Sequence, residues 1–190
     1  IVMPRRIEQL NEQLKKELSI EDLFMKHLRP GDIFTHTFSY GPANRETVVD
    51  ESGKVKPFIF EAQKRGIIFD VGYGGASFAF SQVIPAVKSG FFPNTISTDL
   101  HTGSMNTSMK DMLSVMSKFL LAGMDLQNII KASTWKPAQV IKREELGHLS
   151  VGAIADVAVL NIREGNFGFY DKTGFKIQGR QKFECEMTIK

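Results

Sequence analysis

At 190 residues the chain is long enough for one domain with a real core, and its 42% apolar and 24% charged content suits a water-soluble globular protein. A net charge of +3, with both signs mixed along the chain and no aromatic-studded basic stripe, argues against a nucleic-acid partner despite a pI near 9.0. One cysteine, Cys185, excludes an intramolecular disulfide and a cysteine-rich zinc site, and no apolar run approaches the roughly twenty residues that span a bilayer.

The first residues, Ile1-Val2-Met3-Pro4-Arg5-Arg6, have no signal-peptide pattern and no starting methionine. The expectation is a soluble, cytoplasmic protein whose chain begins inside a longer one. Ile7, Leu10, Leu14 and Leu18 form an apolar stripe at helical spacing. Ser19 reads as the N-cap of a second helix through Leu23, Phe24 and Leu28, stopped by Pro30-Gly31.

Asp32 to Thr37 then reads as a strand, followed by a long polar loop from Ser39 to Val55 containing Gly41-Pro42 and Asn44. A helix follows Pro57 through Ile59, Phe60 and Ala62, with Gly66 as its C′ residue. Residues 67 to 72 form a second strand, Gly72-Tyr73-Gly74-Gly75 a tight loop, and Val83, Ile84 and Val87 a further helix ended by Gly90. Thr95 to Thr98 is the third strand. Met109, Met112, Leu113, Met116, Phe119 and Leu120 repeat at 3.6 spacing up to Gly123, Asp125 opens a helix through Ile129 and Ile130, and Thr134 to Pro137 breaks it.

The pattern changes after Glu145. Ala155 to Leu160 is apolar but for Asp156, and Lys182 to Ile189 alternates with Phe183, Cys185, Met187 and Ile189 on one face. Gly165, Gly168, Gly174 and Gly179 are spaced like hairpin turns. Residues 1–145 are therefore expected to form an α/β unit and 146–190 a small β unit. Strands about thirty residues apart, each followed by a helix, describe a parallel sheet. Three or four such units cannot close an eight-stranded barrel.

In a barrel of this kind functional side chains sit where strands hand over to loops. His36 and Asp99 occupy such positions. His36 reads as a metal ligand or general base, or as a polar residue satisfied by a neighbouring loop. Asp99 reads as a ligand or as a loop-ordering carboxylate. His101 shares the Asp99 loop or lies at its rim. The Gly72–Gly75 loop lacks phosphate-loop spacing, so a nucleotide site is not expected. The methionine stripe reads as core, Trp135 as the packing of a helix corner, His27 and His148 as structural, and Cys185 as a buried small hydrophobe.

Several of these stretches resemble the C-terminal half of the amidohydrolase superfamily, in its dihydroorotase-like and amino-acid-deacetylase branch. They are Leu28 to His36, Phe69-Asp70-Val71-Gly72, Ile96 to His101, Ser117-Lys118, and Gly147 to Leu160. The resemblance implies the last strands of a (β/α)8 barrel followed by part of a small β-sandwich domain. It implies that His36 ends barrel strand 6 and ligates the second metal. Asp99 would end strand 8, bind the first metal and act as general base. Tyr73, Gly74 and His101 are the implied substrate contacts, Tyr73 standing where the family often has histidine.

The implied reaction is metal-dependent hydrolysis of an amide or cyclic amide C–N bond in a small molecule, with one or two divalent ions and zinc favoured. The family's strand-1 His-x-His pair, strand-4 lysine and strand-5 histidine are absent from this sequence. Two ligands are one fewer than catalytic zinc sites normally take from protein. The alternative expectation is a truncated, non-catalytic assembly or binding module. An incomplete barrel exposes strand edges, so a homo-oligomer is expected.

Overall fold

A computed structural model describes residues 19–40 and 46–190. The stripe Ile7/Leu10/Leu14/Leu18 and the loop residues Gly41, Pro42 and Asn44 lie outside the described residues. Ser19 caps α1 (Ile20–Asp22), its hydroxyl accepting from Asp22 N at 3.1 Å, and the helix runs on as a π-helical turn, Leu23–His27. Leu28 is already extended, and Pro30 keeps Arg29 from resuming the helix.

Strand β1 (Ile33–Phe34) pairs in parallel with β2 (Ile68–Phe69), Ile33 opposite Ile68 and Phe34 opposite Phe69. Asp70 bridges Thr95 in parallel on the other side. Two of the three strands read from sequence are thus present but shorter, and the third, Thr95 to Thr98, is reduced to a single bridge at Thr95. The reason is local: His36 at φ 60° and Gly72 at φ 45° cannot continue an extended ladder. Backbone bonds still tie the strand ends, from Thr37 N to Asp70 O, Val71 N to Thr95 O and Gly74 N to Thr98 O.

Helix α2 (Pro57–Lys64) starts with proline where no backbone donor is needed, and α3 (Phe80–Lys88) follows the glycine loop. Asp111 caps α4 (Met112–Ala122) by accepting from Ser114 N at 2.7 Å, and Gly123, at φ 97°, ends it. Asp125 caps α5 (Leu126–Ser133) in the same way through Asn128 N, and α6 (Trp135–Val140) follows Thr134. None of the described helices is long and apolar enough to cross a membrane.

The core is built from phenylalanine. Phe24 meets Phe34 edge-on at 4.7 Å and Phe69 at 5.1 Å, and Phe69 meets Phe91 at 5.1 Å. Each such pair adds about 1 kcal/mol beyond the area it buries. Phe38, Phe78 and Phe119 extend the same cluster towards the C-terminal hairpin.

That hairpin is β3 (Val157–Tyr170) against β4 (Lys176–Ile189), antiparallel, closed by a turn at 171–175. Leu160, Ile162, Phe167, Phe169, Ile177 and Phe183 pack on the core, and Phe183 N donates to Ser117 Oγ at 3.0 Å. Only Gly174 of the four expected turn glycines sits in a turn. Gly165, Gly168 and Gly179 lie within strands, and Gly179 leaves room for the Phe169 ring, 2.8 Å from where a Cβ would stand.

The expected single face of β4 is also corrected. Leu160 pairs with Cys185 but Val159 pairs with Met187, so Glu186 is extra and the alternation reverses beyond it, at Met187 and Ile189, whereas Cys185 keeps the register of Phe183 and lines an apolar cavity. Phe183 is buried, whereas Cys185, Met187 and Ile189 are exposed. Cys185 is therefore not a core residue. Trp135 meets His148 edge-on at 5.5 Å as a helix-corner contact, and His27 is exposed.

Candidate functional site

Asp70 organises the strand ends. Its carboxylate accepts from Thr35 Oγ1 (2.8 Å), Thr95 Oγ1 (2.6 Å) and Ser97 Oγ (2.8 Å), and Ser97 Oγ in turn accepts from Gly72 N at 2.9 Å. One carboxylate thus fastens β1, the end of β2 and the chain at 95–97 in register. Sequence reading gave Asp70 no role. Its signal was an acid at the end of the apolar run Ile67-Ile68-Phe69.

His36 leaves β1 with left-handed backbone and turns its ring onto the glycine loop, where Nδ1–H donates to Gly72 O at 2.5 Å. That bond fixes the tautomer and leaves Nε2 with its lone pair, the arrangement in which a histidine ligates a metal. A Cβ on Gly72 would lie 2.9 Å from His36 Nδ1 and closer still to Thr35 Oγ1, so only glycine fits there.

Asp99 is exposed and also left-handed, at φ 48°. Its Oδ2 lies 2.6 Å from where a Cβ on Gly74 would stand. His36 and Asp99 therefore press on the same loop at positions two residues apart. Among the described non-glycine residues, positive φ occurs at His36, Asp99, Lys110 and Lys142. Two of these four are the candidate ligands, as expected where backbone strain is held at a site.

The structure separates the other candidates. Tyr73 turns into the core, fully buried and stacked on Phe78 at 4.4 Å, so its side chain is not placed as a substrate contact. Its hydroxyl meets Ser108 Oγ at 2.9 Å, donates to Tyr170 O and accepts from Lys118 Nζ at 2.7 Å. Burial pushes the Tyr73 phenol well above its ordinary range. Gly74 faces Asp99 with backbone alone. His101 is exposed and its Nδ1 accepts from Gly103 N at 3.1 Å, so it orders its own loop. No three His, Cys, Asp or Glu side chains cluster as a metal site among the described residues.

Two polar residues hold this arrangement, Lys118, named in the sequence only as part of a matching stretch, and Asp171, which the sequence reading missed. Lys118 on α4 is buried and clamps Tyr73 Oη to Ser108 O, joining the glycine loop to the loop after Asp99. Asp171, 4% exposed, accepts from Phe80 N (2.9 Å) at the start of α3, Thr173 N (2.8 Å), Thr173 Oγ1 (2.7 Å) and Phe175 N (3.2 Å). It fixes the hairpin turn to the helix that follows the glycine loop.

Residues 80–182 match the sequence pattern described as the Amidohydrolase family. The chain belongs to that family. Among curated relatives, a deacetylase of Brucella anthropi is 36% identical over 175 residues, 90% of this chain and 42% of its own. A deacetylase of Agrobacterium fabrum is 34% identical over 175 residues, 90% of this chain and 41% of its own. The fold matches the crystal structure of an adenine deaminase (TM-score 0.82, 25% identity, 95% of this chain and 52% of that one). It also matches that of a dihydroorotase (TM-score 0.75, 33% identity, 89% and 43%). The chain spans about two-fifths to half the length of these proteins.

Proposed function

We propose that this chain carries the second half of a metal-dependent hydrolase site for amide or cyclic amide C–N bonds. In this reading residues 1–145 are the last strands and helices of a (β/α)8 barrel, and 146–190 are part of a β-sandwich. The observation that carries the reading is the shared loop: His36 and Asp99, from separate strand ends, both contact the 72–74 glycine turn with left-handed backbone.

The donor set fits a first-row divalent ion in kind. An imidazole Nε2 with its tautomer fixed and a carboxylate suit zinc. It falls short in number, since catalytic zinc normally takes three protein ligands. The missing donors would come from polypeptide that this sequence does not contain. When bound, the metal would supply Lewis-acid polarisation and a lowered pKa for water. Within this chain His36 would ligate, and Asp99 would ligate and carry a proton from the attacking water to the leaving nitrogen. The amides of the glycine turn would line the substrate space beside them.

The test combines this chain with the complementary half of a deacetylase relative in zinc and follows hydrolysis of N-acetyl amino acids and cyclic ureides. Wild type is expected to restore zinc-dependent hydrolysis and Asp99→Asn to fall to background. Activity that survives Asp99→Asn contradicts the proposal. A second reading, a non-catalytic assembly module, is favoured by an apolar cavity of about 580 Å³ lined by residues including Met112, Met116, Ile154, Leu160 and Cys185. A second copy of this chain is its proposed cover, and sedimentation would show a dimer that Leu160→Glu or Met112→Glu disperses.

A further inference from the structure

A second cavity, of about 240 Å³, lies between the first half of α4 and the hairpin, away from His36 and Asp99. Its polar lining is Ser108, Lys110, Ser114, Lys118, Asn166 and Lys182, with the β3 segment 167–170 as the wall. Three lysines line it and none of its lining residues is acidic.

Two of the nearby acids are committed elsewhere, and the third pairs with a lysine of the cavity itself. Asp111 accepts from Ser114 N as the cap of α4, and Asp171 is filled by the amides of Phe80, Thr173 and Phe175 and the Thr173 hydroxyl. Glu184 serves both Lys182, at 3.1 Å, and Arg163, at 3.1 Å. Lys118 spends two donors on Tyr73 Oη and Ser108 O. Burial first, and then the charge of Lys110, hold its amine down to about 7, with Asp171 and Asp111 opposing. Lys110 itself is held with left-handed backbone at φ 60°, a conformation that a lysine does not favour.

Like charges gathered round a cavity are a standing electrostatic cost that an anion would remove. We propose that this cavity is a binding site for a small tetrahedral oxyanion, the phosphate group of inorganic phosphate or of a phosphomonoester. Lysine ammonium groups bind such an ion as point charges, and the Ser114 hydroxyl and the Asn166 amide supply neutral donors. A carboxylate ligand, with two oxygens, would use fewer of these donors.

The site is independent of the metal reading, so either can fail alone. The test is calorimetric titration of the whole chain with inorganic phosphate, glycerol 3-phosphate and acetate, against sodium chloride at matched ionic strength. One saturable phosphate site is expected, with no response to chloride and weaker binding of acetate. Lys110 and Lys182 are solvent-accessible, so Lys110→Gln with Lys182→Gln should leave the fold intact, checked by circular dichroism, and weaken phosphate by at least about tenfold. Tighter binding of glycerol 3-phosphate assigns the site to an ester, and equal or weaker binding assigns it to the free ion. Absence of saturable binding, an equal response to chloride, or binding unchanged in the double variant overturns the proposal.

Discussion

Replacing Lys118 by methionine removes one ammonium group from the core while keeping most of the side-chain volume. The wild-type amine is 2% exposed, and burial holds it down to about 7 against 10.5 for an ordinary lysine. The unfolded chain keeps its proton up to the ordinary value, while the folded chain releases it near 7. Between those two values the unfolded state binds more protons, so wild-type stability rises with pH, and below 7 this dependence vanishes. Between pH 7 and 9 the linkage amounts to about 2 kcal/mol of added stability. The Lys118→Met variant has no such group and should lack that increment. Urea unfolding followed by fluorescence of the lone Trp135, at pH 7 and pH 9 in chloride buffer free of phosphate and sulfate, measures the difference directly. Wild type and variant with the same stability change between the two pH values would refute the reasoning.

Asp70→Asn should cost about 2 kcal/mol in the same unfolding assay, because one charged acceptor of three hydroxyls becomes a neutral amide; an unchanged midpoint would show that the strand ends do not need it. Asp171→Ala strands four donors and should cost about 3 kcal/mol, with hydrogen exchange rising at Phe80 and Phe175 together. Gly74→Ala and Gly72→Ala should separate. The first meets the movable Asp99 carboxylate at 2.6 Å and should lower zinc affinity while costing only about 1 kcal/mol, from its left-handed backbone at φ 51°. The second meets Thr35 and the His36 backbone and should cost about 3 kcal/mol, read by the same urea midpoints.

The helices were legible because their signals are local. Ser19, Asp111 and Asp125 each sit one residue before a helix and accept the backbone donor three residues on, and Gly66, Gly90 and Gly123 take the left-handed turn at or near the ends. His36 and Asp99 stood out because a polar residue ending an apolar run is visible in one dimension. Strand length was not, because it depends on where the chain departs from extended geometry, here at His36 and Gly72. Cys185 was misplaced for another reason: it keeps the register of Phe183 but faces the apolar cavity beside Met112 and Leu160, while the bulge at Glu186 reverses only Met187 and Ile189, and neither leaves a mark in the alternation. The roles of Lys118 and Asp171 were illegible because their partners lie 45 and 91 residues away, at Tyr73 and Phe80. Tyr73 showed the converse, a residue in a site-like loop whose side chain belongs to the core.

The measurement that bears most directly on the central claim is zinc by elemental analysis after equilibrium dialysis, for wild type, His36→Ala and His101→Ala, each combined with the complementary half of a deacetylase relative. The account predicts zinc bound by wild type and by His101→Ala and lost from His36→Ala. Equal zinc in all three proteins, or none in any, would contradict the claim that His36 and Asp99 share a metal.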